Sequence, residues 1–214
     1  YGKLVDIGRA HLEPRVQRGA RVRLTRWALR TLLPRRTLFS TLLRVGQWTR
    51  PLVPAPLKAK IPPRQSAPAW PAKAGHSRSV LLLEGCVQPA MAPAINPVTA
   101  RLLDRLGVAV IRTPAAQCCG AVSQHLGAPD EARRHIRSTI DAWWPAIEAG
   151  AEAILVNASG CGVQVKDYGH LMADDPVYAS KAERVSALTR DPVEWLLGEE
   201  ERLRPAETAP RRVA

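Results

Sequence analysis

The chain has 214 residues, 46% of them apolar, 5% aromatic and 23% charged, with 19 prolines and 4 cysteines. That composition supports one sizeable core or two small ones and excludes a disordered polyampholyte, a collagen-like repeat and a disulfide-stapled miniprotein. The net charge of +12 is unevenly spread: residues 1–78 carry 17 basic and 2 acidic side chains, the remainder 14 and 17, so any affinity for anions belongs to the first segment.

In chain order, residues 2–48 read as helix, because Leu4, Ile7 and Leu12, then Val16, Ala20, Leu24, Trp27, Ala28 and Leu32, fall near a 3.6-residue period with arginines between them. Pro14 and Pro34 start or break helices there. Seven prolines between Pro51 and Pro71 exclude helix and sheet and favour an extended linker, or a strap across a neighbouring surface. From Val80 the pattern becomes α/β. Val80 to Leu83 is a continuous apolar run of the kind buried in a parallel sheet, and Gly85-Cys86 closes it. A helix over 97–107, a strand over 108–111, a long helix over 130–150 containing Pro145 and a strand over 153–156 follow. This βαβαβ order predicts an α/β fold with a parallel sheet flanked by helices, preceded by a basic helical arm and a Pro-rich linker. Residues 181–201 read as one more helix. The expected organisation is an arm over 1–50, a linker over 51–78, a cysteine-rich α/β domain over 79–201 and a tail over 202–214.

No apolar run reaches the roughly 18 to 20 residues of a membrane-spanning helix. The opening Tyr1-Gly2-Lys3-Leu4 has neither an initiator Met nor a signal-peptide core, and reads as the interior of a longer polypeptide. Adjacent Cys118 and Cys119 bridge each other only with backbone strain, which suits a reducing, cytoplasmic compartment and a metal or redox role.

The chemistry concentrates at the cysteines. Cys86 follows the first strand, Cys118 and Cys119 the second, and Cys161 the third. Carboxyl ends of parallel strands share one edge, where ligands bind, so the four thiols are expected to converge there. Soft thiolates flanked by Gly85, Gly120, Gly160 and Gly162 suit an iron–sulfur cluster or zinc. Isolated buried cysteines more often serve as small hydrophobes, but placement after three successive strands argues against that here.

Leu83-Glu84-Gly85-Cys86-Val87-Gln88-Pro89, Cys118-Cys119-Gly120-Ala121, and Ala158-Ser159-Gly160-Cys161-Gly162-Val163 with Lys166-Asp167-Tyr168-Gly169-His170 resemble the iron–sulfur subunits of bacterial glycolate oxidases. More widely they resemble the cysteine-rich CCG domain shared with heterodisulfide reductase subunits. The resemblance extends to Tyr1–Arg9, which is similar to the stretch following a ferredoxin-type module. It implies a central fragment of an electron-transfer subunit, with Cys86, Cys118, Cys119 and Cys161 as ligands of an iron–sulfur cluster of [4Fe-4S] type. It also implies flavin-containing partner subunits whose FAD oxidises glycolate to glyoxylate, with no substrate oxidation by this chain alone. One departure stands out: the family pattern has a CxxC at the last motif, and here Ala158 occupies its first position.

Other polar residues carry less. His125 and His170 are read as lying outside the site, and the Lys166–Asp167 pair as solvated surface. Trp143 and Trp144 are read as core or interface aromatics. The arginine-rich helices are read as docked on another subunit in preference to resting peripherally on an anionic membrane, and no nucleic-acid partner is expected, since no reader motif is present. The α/β unit is expected to make few contacts with the arm. A different class of function, a thiol/disulfide module using Cys118 and Cys119 without a cluster, remains the alternative.

Overall fold

The computed structural model describes residues 2–72, 75–200 and 203. The tail expected over 202–214 falls almost wholly outside the described residues. Four parallel strands form one sheet in the order β2-β1-β3-β4: β1 Arg78–Leu82, β2 Val108–Arg112, β3 Ile154–Leu155 and β4 Thr189–Arg190. In register, Arg78 faces Val108 across β1 and β2, Leu81 faces Ile154 across β1 and β3, and Ile154 faces Thr189 across β3 and β4. The expected three-strand βαβαβ sheet is present, and the fourth strand extends it.

That fourth strand corrects the single helix read over 181–201. The stretch divides into α11 Ala179–Leu188, β4, and α12 Pro192–Leu197. The reason is local: Pro192 pushes Asp191 into extended backbone, and the Asp191 carboxylate then accepts from Val193 N–H while Glu194 accepts from Asp191 N–H, a complete capping box. The other helices in chain order are α1 Gly2–Leu12, α2 Ala20–Leu32, α3 Arg36–Thr49, α4 Ala55–Lys58, α5 Gln88–Met91, α6 Ile95–Arg105, α7 Ala121–His125, α8 Pro129–Glu148, α9 Ser159–Lys166 and α10 Tyr168–Leu171. Pro145 sits inside α8 without ending it. The one-turn α4 corrects the expectation of no helix between Pro51 and Pro71; Pro56 is tolerated there because it lies in the first turn, where its missing N–H is not needed.

Alternation along β1 sends successive side chains to opposite faces. Leu81 and Leu83 join Ile136, Ile140 and Trp143 of α8 with Tyr168 of α10 on one face, and α9 and α11 complete that layer. Val80 and Leu82 join Leu103 of α6 and Leu155 of β3 on the other, where Trp70 and Trp195 also pack. Trp143 has no exposed surface, so it is core, as expected from sequence, while Trp144 packs half-buried at the margin. Trp70 makes the proline-rich stretch a strap: the Arg112 guanidinium lies 4.0 Å from its ring centroid, and Arg101 donates to the Ala69 carbonyl.

The arm is less separate than its sequence suggests. Arg26 donates to the Leu126 carbonyl at 2.6 Å, Arg36 pairs with Glu84 at 3.0 Å and Arg30 with Glu131 at 3.7 Å, so arginines tie α2 and α3 to the carboxyl edge of the sheet. The expectation of few contacts is therefore corrected. The physical reason is that the guanidiniums meet carboxylates and a helix-end carbonyl of the acidic α/β unit.

Candidate functional site

Three loops leave the carboxyl edge of the sheet, and each carries thiols. The first is Glu84-Gly85-Cys86, where Gly85 takes φ +81°, a left-handed conformation that lets the chain turn directly off β1. The second, after β2, ends in Cys118-Cys119-Gly120. Gly120 takes φ +85°, and a Cβ there would stand 3.1 Å from the Ala132 carbonyl oxygen, so only glycine allows α7 to pack this closely on α8. The third is the start of α9, where Cys161 lies in the first turn between two glycines. Cys86, Cys118 and Cys119 are buried and Cys161 is half-buried; all four are free thiols.

The structure brings the four sequence-predicted cysteines together. Their thiols are neighbours in series, Cys86 with Cys118, Cys118 with Cys119, and Cys119 with Cys161. The contact with Cys118, with burial added, pushes Cys86 and Cys119 up. Donation from Cys119 and then Cys86, together with the Gly120 N–H at 3.4 Å from Cys118 Sγ, pulls Cys118 down. Donation from Cys119 likewise lowers Cys161. The shifts thus alternate along the series, with Cys118 and Cys161 lowered and Cys86 and Cys119 raised by the thiols beside them. Among the described residues no three Cys, His, Asp or Glu side chains close round a point as the ligands of a single metal ion.

Supporting groups fix this edge. Tyr168, fully buried, donates its hydroxyl to the Cys119 carbonyl at 2.9 Å, and Thr139 donates to the Cys118 carbonyl at 3.1 Å, so both adjacent cysteines are held by their backbones. Burial, with the thiols next to it, pushes the Tyr168 hydroxyl well up, which keeps it a donor. Asn96 donates to the Glu84 carbonyl and accepts from Gln88 and Asn157, a carboxamide cluster that joins the loop after β1 to the loop after β3. Glu84 itself is only 3% exposed yet holds two arginines, Arg112 bidentately at 2.9 and 3.1 Å and Arg36 of the arm. Burial alone would raise this carboxyl; Arg112 and Arg36 outweigh it and hold it below the ordinary range.

The histidines left out of the site in sequence stay out: His125 meets Arg9 of the arm at 3.0 Å, and His170 is exposed. Lys166 pairs instead with Glu194 at 2.6 Å on the surface. The histidine that sequence reasoning missed is His135 of α8, which lies close enough to Cys118 to help lower it and with Cys118 lines a solvent-open cavity. Its signal was its place one turn before Thr139 on α8, legible only once α8 is known to pack beside the second loop. Asn96, Glu84 and the arm arginines were also missed, because nothing in sequence spacing brings residue 36 to residue 84.

Residues 80–166 match the family model described as a cysteine-rich domain, CCG. This segment, residues 80–166, is a CCG cysteine-rich domain. The chain is 48% identical over 198 residues to the glycolate oxidase iron–sulfur subunit of Escherichia coli K12, an alignment that covers 92% of this chain and 48% of that protein. It is 30% identical over 140 residues to a probable glycolate oxidase iron–sulfur subunit of Bacillus subtilis 168, covering 65% of this chain and 30% of the relative. Lactate utilization protein A of an Exiguobacterium species is 28% identical over 119 residues, covering 56% of this chain and 47% of the relative. The chain thus spans half or less of the length of these relatives. No solved structure matches. Within the CCG domain the family match encloses all four cysteines and all three loops.

Proposed function

We propose that this chain is an electron-transfer portion of an iron–sulfur subunit of a glycolate oxidase, with Cys86, Cys118, Cys119 and Cys161 holding a [4Fe-4S]-type cluster. The single observation that carries the reading is the gathering of four free thiols from three separate loops at one sheet edge. The donor set suits the group: all the converging donors are soft sulfurs, a backbone N–H already points at one of them, and glycines leave room for more. The similarity to the Escherichia coli and Bacillus subtilis subunits supports it. When bound, such a cluster supplies a one-electron store. Tyr168 and Thr139 then serve to hold two ligand-bearing backbones in place, and the glycines to admit N–H groups near sulfur.

In this reading FAD on a partner subunit takes two electrons and two protons from glycolate to leave glyoxylate, and the present chain relays electrons only. The arm over 1–50, with Trp27 and Trp48 57% and 82% exposed, is the docking surface for another subunit, joined through the linker over 51–78 to the α/β domain over 79–201. Among the described residues no helix is long and apolar enough to cross a membrane. In this reading the complex is cytoplasmic, with docking of the arm on a subunit favoured over its resting on the inner face of the membrane. Anaerobic reconstitution with iron and sulfide tests the central point. Wild-type chain is expected to develop a cluster spectrum that is lost when Cys86→Ala is combined with Cys119→Ala; a cluster indifferent to that pair would overturn the ligand assignment.

The series of thiol contacts gives one specific ground for a second reading, direct thiol–disulfide chemistry at Cys118 and Cys119. Four freely alkylated thiols in protein isolated without oxygen would favour it, and protection by bound iron would exclude it.

A further inference from the structure

Beside the cysteine edge lies a cavity of about 330 Å³, open to solvent. Its walls come from three regions: Pro34, Arg35 and Thr37 at the corner between α2 and α3, Gln117 and Cys118 of the second loop, and His135 with Ser138 and Thr139 on α8. No acidic residue lines it. Arg35 spends one N–H on the Thr31 carbonyl at 3.2 Å and keeps the rest of its guanidinium for other partners. A polar recess with a guanidinium, an imidazole, hydroxyls and a carboxamide is chemically suited to an anion, and Cys118 lies in its wall.

We infer that this cavity is a binding port for a small anion, a monocarboxylate or an inorganic oxyanion, held by Arg35 of the arm next to Cys118. The arm thereby contributes a ligand-binding residue to the cysteine domain as well as a docking surface. The port goes beyond the electron-transfer reading: it shares Cys118 with the proposed ligand set, but its binding group, Arg35, lies outside that set.

Iodoacetate serves as the probe, since it is a small carboxylate that marks where it binds: the thiolate sulfur forms a bond to carbon, the carbon–iodine bond breaks and iodide leaves. The full metal-free chain, shown folded by circular dichroism, is treated anaerobically with iodoacetate and in parallel with neutral iodoacetamide, and each cysteine is followed by mass spectrometry. The ratio of the two rates at Cys118 is expected to exceed that at Cys161. Arg35→Gln is expected to lower the Cys118 ratio about five-fold, the value of roughly 1 kcal/mol for one guanidinium–carboxylate contact, and to leave Cys161 unchanged. Arg44→Gln, an exposed arginine outside the cavity, is expected to change neither ratio. Acetate and inorganic phosphate added as competitors separate the two anion classes: whichever slows iodoacetate at Cys118 names the ligand. Equal ratios at the two cysteines, an equal drop with Arg44→Gln, or no reaction at Cys118 while Cys161 is consumed would each overturn the port. Because cluster formation is read separately by spectrum, an intact cluster with an unaltered ratio removes only the port, and an altered ratio without any cluster removes only the electron-transfer reading.

Discussion

Trp143, Tyr168 and Ile140 have no exposed surface, whereas α2 and α3 of the arm bury no side chain fully and leave Trp27 and Trp48 more than half exposed. The α/β unit is held by apolar packing on two sheet faces, which is short-ranged and is not screened by salt. The arm is held to it by guanidinium contacts with Glu84, Glu131 and the Leu126 carbonyl, which are screened by salt and lost with charge. One chain thus combines a domain whose integrity rests on volume with an appendage whose placement rests on charge, and conditions that loosen the second leave the first intact.

The largest expected effect strikes the core. Trp143→Ala should cost about 3–5 kcal/mol of unfolding free energy, read from urea denaturation, with the arm's own hydrogen exchange little changed before the global transition. Next, Gly120→Ala should cost more than about 1 kcal/mol, because it adds a Cβ 3.1 Å from a backbone oxygen at a φ of +85°; reconstitution yield should fall with stability, since Cys119 shifts with it. Glu84→Gln should be milder, about 1–2 kcal/mol, because Arg36 and Arg112 lose a buried carboxylate but are themselves 30% and 42% exposed and regain water. Its signature is selective: proteolytic cleavage between α2 and α3 should quicken while the α/β unit resists. If both regions open together, the two-force description fails.

Acid and salt sharpen the same comparison with smaller effects. The Glu84 carboxyl is held below its ordinary value of 4.5 in the folded chain. A lowered folded pKa means its contribution is complete above the unfolded value and is lost as pH falls through the folded one. The arm should therefore loosen below about pH 4.5 and not on the alkaline side, as measured by amide exchange in α3. Raising salt from about 0.05 to 0.5 M, which shortens the screening length to a few ångströms, should increase exchange in α2 and α3 but not in α8; equal response in α8 would sink the idea that charge alone places the arm.

Much of the α/β architecture was legible because its signals are local. The run Val80–Leu83 could only be a buried strand, and Gly107 and Gly150 mark helix ends with φ of +74° and +95°. The gathering of the cysteines was legible for a topological reason: thiols placed after consecutive parallel strands share an edge whatever the helices between them do. The split of 181–201, read as one helix, was available in Asp191-Pro192 and Glu194, which form a capping signature. What could not be read is what depends on pairing across distance. Arg36 with Glu84, Arg112 over Trp70 and His135 beside Cys118 join residues that no period relates, so the arm looked detached, and linker and strap stayed equal alternatives for the proline-rich stretch.

The central position of β1, with β2 on one side and β3 on the other, has a consequence for biosynthesis. Chain growth proceeds from residue 86 through 118 and 119 to 161, and the last thiol reaches the edge only when β3 has paired with a strand laid down long before. A nascent chain that has already folded its first two strands presents three of the sulfurs and lacks the fourth. Any ion captured then would sit on an incomplete set and would have to be released or completed later. In the proposed cluster reading the set of four sulfurs is complete only once β3 has closed onto β1, so reconstitution is expected to require the finished sheet.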